Sequence, residues 1–251
     1  MPGPLPPMTA RAFTIILLIV GAAPALAGPC TPVEHQTTVC DDGKQILRVI
    51  RESVSPSKRY AIAWSVTGDN AMNDLEEDQP SADTPDDSSR STENRDHVLN
   101  YLVRLSDGKA LKVVDSRHFG DRQRYNHFTH DVFWSPDERT VVQVTDWRFG
   151  SSVASAYRIG ADDVLTDPLR LTPPTRRAAA ALLKTPKERR DIAKADATFS
   201  IETVENDGTI KLAVGFAAPK DQGVDFDIVM RIKPSGNTLT AEIKTIQRHK
   251  D

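Results

Sequence analysis

Residues 117–131, "RHFGDRQRYNHFTHD", hold the densest collection of groups in the chain that could do chemistry. His118, His127 and His130 offer imidazoles, Asp131 a carboxylate, and Arg122 and Arg124 guanidinium groups. Two chemistries suit these residue types. Imidazole and carboxylate donors converging on one point could bind a metal ion. Arginines beside a histidine could instead bind an anion, because a guanidinium pairs a carboxylate or phosphate through two parallel N–H bonds. Spacing weighs between the two. His127 and His130 are three residues apart. A helix would put them on one face, whereas a strand sends them to opposite faces. Apolar alternation beginning near Asp131 predicts a strand, which serves a shared metal badly. The segment reads as a polar loop, with Arg122, Arg124 and His127 as candidate ligand contacts and His118, His127 and His130 as weaker metal candidates. The acidic run at 67–97 is a competing, intramolecular use for the arginines.

Other catalytic signatures do not assemble. "FGSSVAS" lacks the second glycine of a G-x-S-x-G nucleophile elbow. The sequence holds neither a phosphate-cradling glycine loop nor a dinucleotide fingerprint. No catalytic residue and no cofactor are therefore expected. Trp64 and Trp134 stand at strand positions and read as core. Trp147 leads the loop "DWRFGSS" and is the best candidate for an exposed aromatic contact. Cys30 and Cys40 are the only cysteines. An even count in an exported chain favours a disulfide. The alternative, a redox pair, lacks a C-x-x-C motif. A loop of this size stabilises by about 2.5 to 3 kcal/mol on chain-entropy grounds.

Export itself is read from the first 27 residues: Arg11, the short apolar run "AFTIILLIV", and Ala25-Leu26-Ala27 as a cleavage site. Together they form a secretory signal peptide, with a run about half the roughly 20 residues of a membrane span. A membrane anchor is the alternative. "LAGPC" nearly matches a lipoprotein signal, but Pro29 separates Gly28 from Cys30. The remaining 224 residues suit one domain with a sizeable core. The net charge of -3 offers no phosphate-binding surface, so nucleic acid is not an expected partner. No other apolar run is long enough to cross a bilayer. The expected compartment is the periplasm or the extracellular space, with self-association possible.

These residues must be positioned by strands. "KQILRVIRESV" (44–54) reads as a strand, followed by a Ser55-Pro56-Ser57 turn and a second strand, "YAIAWSV" (60–66). In the latter Tyr60, Ile62, Trp64 and Val66 share one face, and Ala61, Ala63 and Ser65 the other. Residues 67–97 hold ten acidic groups against two arginines and read as a disordered insert without calcium-loop spacing. "LNYLVRLSDGKALKVVD" (99–115) is a hairpin turned at Asp107-Gly108. "SAYRIGADDVLTD" (155–167) is another, turned at Gly160-Ala161. Helix formers dominate 173–194, with Thr185-Pro186 starting a second short helix. Residues 195–251 form a four-stranded meander with one dry face and one wet face.

"WSPDERTVVQV" (134–144) repeats the Ser-Pro turn and strand of 54–64 at an offset of 80. Ser55 meets Ser135, Pro56 meets Pro136, and Ile62 and Trp64 meet Val142 and Val144. The phase of the apolar face is kept with the turn, which favours repetition over coincidence. This stretch resembles the Ser-Pro-Asp-x-x strand signature of TolB-like and related WD-type β-propeller repeats. "YLVRLSDGKALKVV" is similar to the outer hairpin of such a blade. The resemblance covers 44–167, interrupted by the acidic insert, and implies four-stranded blades of roughly 40 to 45 residues. Ser57 and Lys58 depart from the motif. About thirteen candidate strands make only three blades, and closed propellers usually have four to eight. The expected fold is mainly β: an antiparallel, blade-like or sandwich-like stack of meanders with a helical insertion at 173–194. The expected function is an exported, non-enzymatic binding or accessory protein. The alternative is a metal-dependent enzyme using the histidines of 117–131.

Overall fold

The chain alternates strand-forming segments with Gly, Asp and Pro turns, and the folded chain is a set of antiparallel meanders. A computed structural model describes residues 30–32, 38–66, 98–116, 128–147, 152–217 and 223–249. The first sheet runs β1 (Thr31–Pro32), β2 (Thr38–Asp41), β3 (Ile46–Val49), β4 (Tyr60–Val66), β5 (Val98–Arg104) and β6 (Lys109–Val114), in that order. The second holds β7 (Phe128–Trp134), β8 (Thr140–Trp147), β9 (Ser152–Arg158) and the short β10 (Leu169–Arg170). Helices α1 (Thr172–Leu182) and α2 (Pro186–Lys194) follow. The third sheet is β11 (Asp196–Val204), β12 (Thr209–Ala217), β13 (Val224–Ser235) and β14 (Thr238–Arg248). The expectation of a mainly β, antiparallel chain with a helical insertion and a C-terminal four-stranded meander is met. The expected signal peptide, residues 1–27, and the expected disordered insert, residues 67–97, lie outside the described residues.

Burial arranges the sheets in layers. Tyr60, Ile62 and Trp64 of β4 pack with Leu102 against Val141 and Tyr157 of the second sheet. From the opposite face of that second sheet, Val142, Val144, Ala154 and Ala156 pack against Phe199, Leu212, Phe226, Ile228 and Met230 of the third. The second sheet is thus the middle layer, dry on both faces, with α1 and α2 closing the edge of its third-sheet side through Ala179, Leu183 and Ile192. Ile62, Trp64, Val142 and Val144 are all buried, as the repeat predicted. Ala61 and Ala63 face outward from the stack and join Cys40, Leu47, Val49, Tyr101 and Val103 in a third cluster. The Cys30–Cys40 disulfide is formed and lies on this cluster, where the Cys30 amide donates to the Leu105 carbonyl.

The two Ser-Pro turns match in backbone as well as sequence. Lys58 has φ 59° and Glu138 φ 55°, at equivalent positions. Ser55 N–H donates to the Tyr60 carbonyl (2.8 Å), and Ser135 N–H to that of Thr140 (2.9 Å). Each serine hydroxyl accepts the amide of the strand it leads into: Tyr60 N (3.1 Å) and Thr140 N (2.9 Å). Short side chains that bond their own backbone make such turns self-supporting. The turns also touch each other, because the Glu138 carboxylate receives Ser55 Oγ (3.1 Å), Ser57 N (2.5 Å) and Ser57 Oγ (2.6 Å).

One strand expectation is corrected. Residues 44–54 do not form a single strand: β3 ends at Val49, and Arg51–Ser53 make one 3-10 turn. The Ser53 hydroxyl is the cause. It donates to the Ile50 and Ile62 carbonyls (2.6 and 2.9 Å) and accepts the Ile62 amide (2.8 Å), taking the place of a ladder partner. Thr185 caps α2 in a capping box with Glu188, as the Thr-Pro pair predicted.

A third tight turn ties the first two layers. Asp163 accepts Tyr60 Oη (2.5 Å), Arg59 Nη2 (3.0 Å) and Arg104 Nη1. The Tyr60 hydrogen bond, with help from both arginines, lowers the pKa of this carboxyl below its ordinary 3.8. A carboxyl with a depressed folded-state pKa contributes stability above its unfolded value and loses it as pH falls through the folded one. The stability gap between the wild type and Asp163→Asn should therefore hold at neutral pH and close as pH drops below 3.8. Denaturant titrations at stepped pH measure it; a gap unchanged down to pH values near 2 would reject the ion-pair account. At the alkaline extreme, burial and then Asp163 push the Tyr60 phenol up to about 12.

Candidate functional site

Strand pairing brings three connections to one end of the first two layers. Val66 pairs with Val98, bounding residues 67–97. Asn100 pairs with Val114, so β6 finishes at the same end. Phe128 pairs with Trp147, and Asp146 with Ser152, which brings in the start of β7, the finish of β8 and the start of β9. Ser116 contacts His130 across the layers and fixes the two sheets in register. This end is therefore where residues 67–97, 117–127 and 148–151 leave and re-enter the fold.

Of the residues singled out from sequence, His118, Arg122, Arg124 and His127 lie outside the described residues. Trp147 ends β8, opposite Phe128, so the "DWRFGSS" loop begins on the ladder itself. Trp64 is 9% exposed and Trp134 is partly buried, its indole N–H donating to the Ser53 carbonyl (3.0 Å). His130 is not in a loop. It sits in β7 with 6% exposure, facing the first sheet. Its Nδ1 lies 2.9 Å from Ser116 Oγ and 3.5 Å from Thr145 Oγ1, and those hydroxyls are 3.2 Å apart. Both hydroxyls meet the ring at the same nitrogen, Nδ1, so the imidazole is in reach of the Ser116 proton. Among the described residues, no three His, Cys, Asp or Glu side chains converge in a way that could hold a metal ion.

Beside this histidine lies a polar hub that the sequence reading missed. Asp115, just past β6, donates its amide to Tyr157 Oη (2.5 Å) and accepts Gln143 Nε2 at its carbonyl (2.8 Å). Gln143 Nε2 also reaches Tyr157 Oη (3.0 Å). The Asp115 carboxylate accepts Ser155 Oγ (3.3 Å) and takes Arg170 as a fork, Nε at 2.8 Å and Nη2 at 3.1 Å. Gln143, Ser155 and Tyr157 are at most 1% exposed. Most of these buried polar groups satisfy one another, as a dry layer requires, while Gln143 Oε1 has no hydrogen-bond partner among the described residues. Desolvation raises the Tyr157 phenol well above its usual pKa of 10.0, so it stays neutral at physiological pH. The legible signal was Gln143, an amide inside the apolar run "TVVQV". The residues it joins in the hub, Asp115 just past β6, Ser155 and Tyr157 of β9 and Arg170 of β10, are linked by no local spacing.

Arg170 and Asp115 also form one wall of a cleft of about 830 Å³, where the end of β6 meets β10, the start of α1 and β14. Its other walls are apolar, Val113, Leu169, Pro173 and Leu239 among them.

No protein-family model matches the chain, and no curated protein is detectably similar to it in sequence.

Proposed function

We propose that the protein is an exported, non-enzymatic binding or accessory module of the cell envelope. Its partner surface would be the end of the first two layers. The observation that carries this reading is the gathering there of three connections between successive strands. Connections held by a rigid layered scaffold are the usual site of recognition. One of them contains Arg122 and Arg124, and Trp147 ends the strand from which another departs; these residue types dominate binding energy at interfaces. The Cys30–Cys40 disulfide and the N-terminal leader support an oxidising compartment, periplasmic or extracellular. Among the described residues no helix is long and apolar enough to cross a membrane.

The propeller-repeat relationship is part of the same reading. It is supported by the matched Ser-Pro turns and by two successive four-stranded runs, β3 to β6 and β7 to β10. The first run carries a long connection, residues 67–97, between its second and third strands, whereas the same connection in the second run is only residues 148–151.

Alanine at both Arg122 and Trp147 should lower partner recovery from envelope extracts by roughly tenfold or more, the loss expected of two interface anchors. Undiminished recovery would reject this surface. Elemental analysis of protein purified without chelators tests the non-enzymatic part. Stoichiometric transition metal, lost in His127→Ala and His130→Ala, would replace it with a metalloenzyme.

A further inference from the structure

The cleft between β6, β10, α1 and β14 is distinct from the loop-bearing surface, and its chemistry does not depend on that reading. We infer that it binds a small amphipathic carboxylate, with the apolar body on its proline and aliphatic walls and the head on Arg177. A volume of about 830 Å³ is that of a ligand cleft rather than a packing defect. Its walls are rings and branched chains, and Val113 remains 47% exposed beside it, at the open edge of the first sheet. An apolar surface of this kind is favourable to cover.

The charge inside the cleft is specific. Arg170 is neutralised in a bidentate pair with Asp115, which Tyr157, Gln143 and Ser155 hold from behind. That wall is fixed and has no net charge. Two helical arginines near the cleft are also engaged. Arg176 donates to the Ala193 and Ala195 carbonyls, and Arg189 to that of Leu183. Arg177 lines the cleft, is exposed, and has no hydrogen bond or ion pair to any described residue. One positive charge therefore remains over an apolar floor.

The helix start does not compete for the head group. Pro173 and Pro174 carry no N–H, and the Thr175 amide is spent on the Leu171 carbonyl (3.2 Å). Recognition by a guanidinium rather than by a row of amides suits a planar carboxylate, which takes two parallel hydrogen bonds from it.

Titration calorimetry of the mature chain with octanoate, decanoate and dodecanoate tests the assignment. Affinity should rise by about fourfold for each added methylene until the cleft is full. Dodecanol, matched in length but uncharged, should bind at least tenfold more weakly than dodecanoate. Arg177→Gln should remove that tenfold preference while leaving dodecanol binding unchanged. Ala241→Phe, which fills the cleft from β14, should abolish binding of both, with an unaltered circular dichroism spectrum. Absence of saturable dodecanoate binding would overturn the inference. So would equal binding of acid and alcohol, or an Arg177→Gln protein that still prefers the acid. None of these results depends on the partner-capture assay.

Discussion

Replacing Phe226 with alanine should destabilise the protein by about 3–5 kcal/mol, the usual cost of truncating a fully buried aromatic. Phe226 is 0% exposed and sits in β13 among the side chains that join the third sheet to the middle layer. Its ring meets Phe216 edge-on, with centroids 6.2 Å apart. The phenyl group has no route to solvent, and the sheet on each side is fixed by ladder hydrogen bonds to β12 and β14. The site cannot collapse to fill the void, so the transfer loss and the cavity term add. For a domain of this size, each kcal/mol moves the melting temperature by about 2–4 °C, giving a fall of roughly 6–20 °C. Val229 supplies the control. It lies on the wet face of the same strand, and its truncation should cost less than about 1 kcal/mol. Calorimetry showing the two variants to be equal would mean that the third sheet is not packed on the middle layer.

Truncating Glu138 to alanine should cost about 3–4 kcal/mol, large for a residue in a turn. The carboxylate is 7% exposed and accepts three hydrogen bonds from the first Ser-Pro turn. Bonds to a charged acceptor contribute more than neutral ones, and their loss strands the proton of the buried Ser55 hydroxyl. Lys58 makes the interpretation testable. It occupies the same left-handed backbone position in the other turn, φ 59° against 55°. Lys58→Gly relieves that strain and should leave stability unchanged or raise it by up to about 1 kcal/mol. Opposite outcomes at matched backbone positions would assign the Glu138 effect to the carboxylate. Equal outcomes would assign it to the turn conformation and remove the interlayer clamp.

Much of this architecture was readable because it is local. Alternation of Val224, Phe226, Ile228, Met230 and Ile232 with polar neighbours fixes a face without knowledge of the partner strand. Glycines at 108, 208 and 236, all with positive φ, punctuate the hairpins as their sequences announced. Gly208 has a second constraint, since a Cβ there would lie 2.6 Å from the Ile232 carbonyl oxygen. The unreadable parts depend on separation along the chain. Ser53 breaks a strand because its hydroxyl finds Ile62, nine residues on. Asp115 becomes a hub through Gln143, Ser155, Tyr157 and Arg170, 28 to 55 residues away. His130 looked like loop chemistry because burial between two sheets leaves no mark on its immediate neighbours. The cleft needs four elements to exist, and Arg177 is distinguished from Arg176 only by what the latter happens to touch.

The three layers all advance in one direction. β4 directs Ile62 and Trp64 at the layer ahead of it, and β8 directs their counterparts Val142 and Val144 at the next. An array whose members always dock front to back has no internal reason to stop growing, unlike a pair related by a two-fold axis. Here both termini are blocked chemically. At the leading end the outward face of the third sheet is studded with Lys211, Asp225, Asp227, Arg231 and Glu242. At the trailing end the alanine-lined face of β4 is occupied by the cystine and its neighbours. Reduction would thus do more than loosen a short loop: it would remove a covalent tie from the apolar cluster that closes the trailing end of the stack.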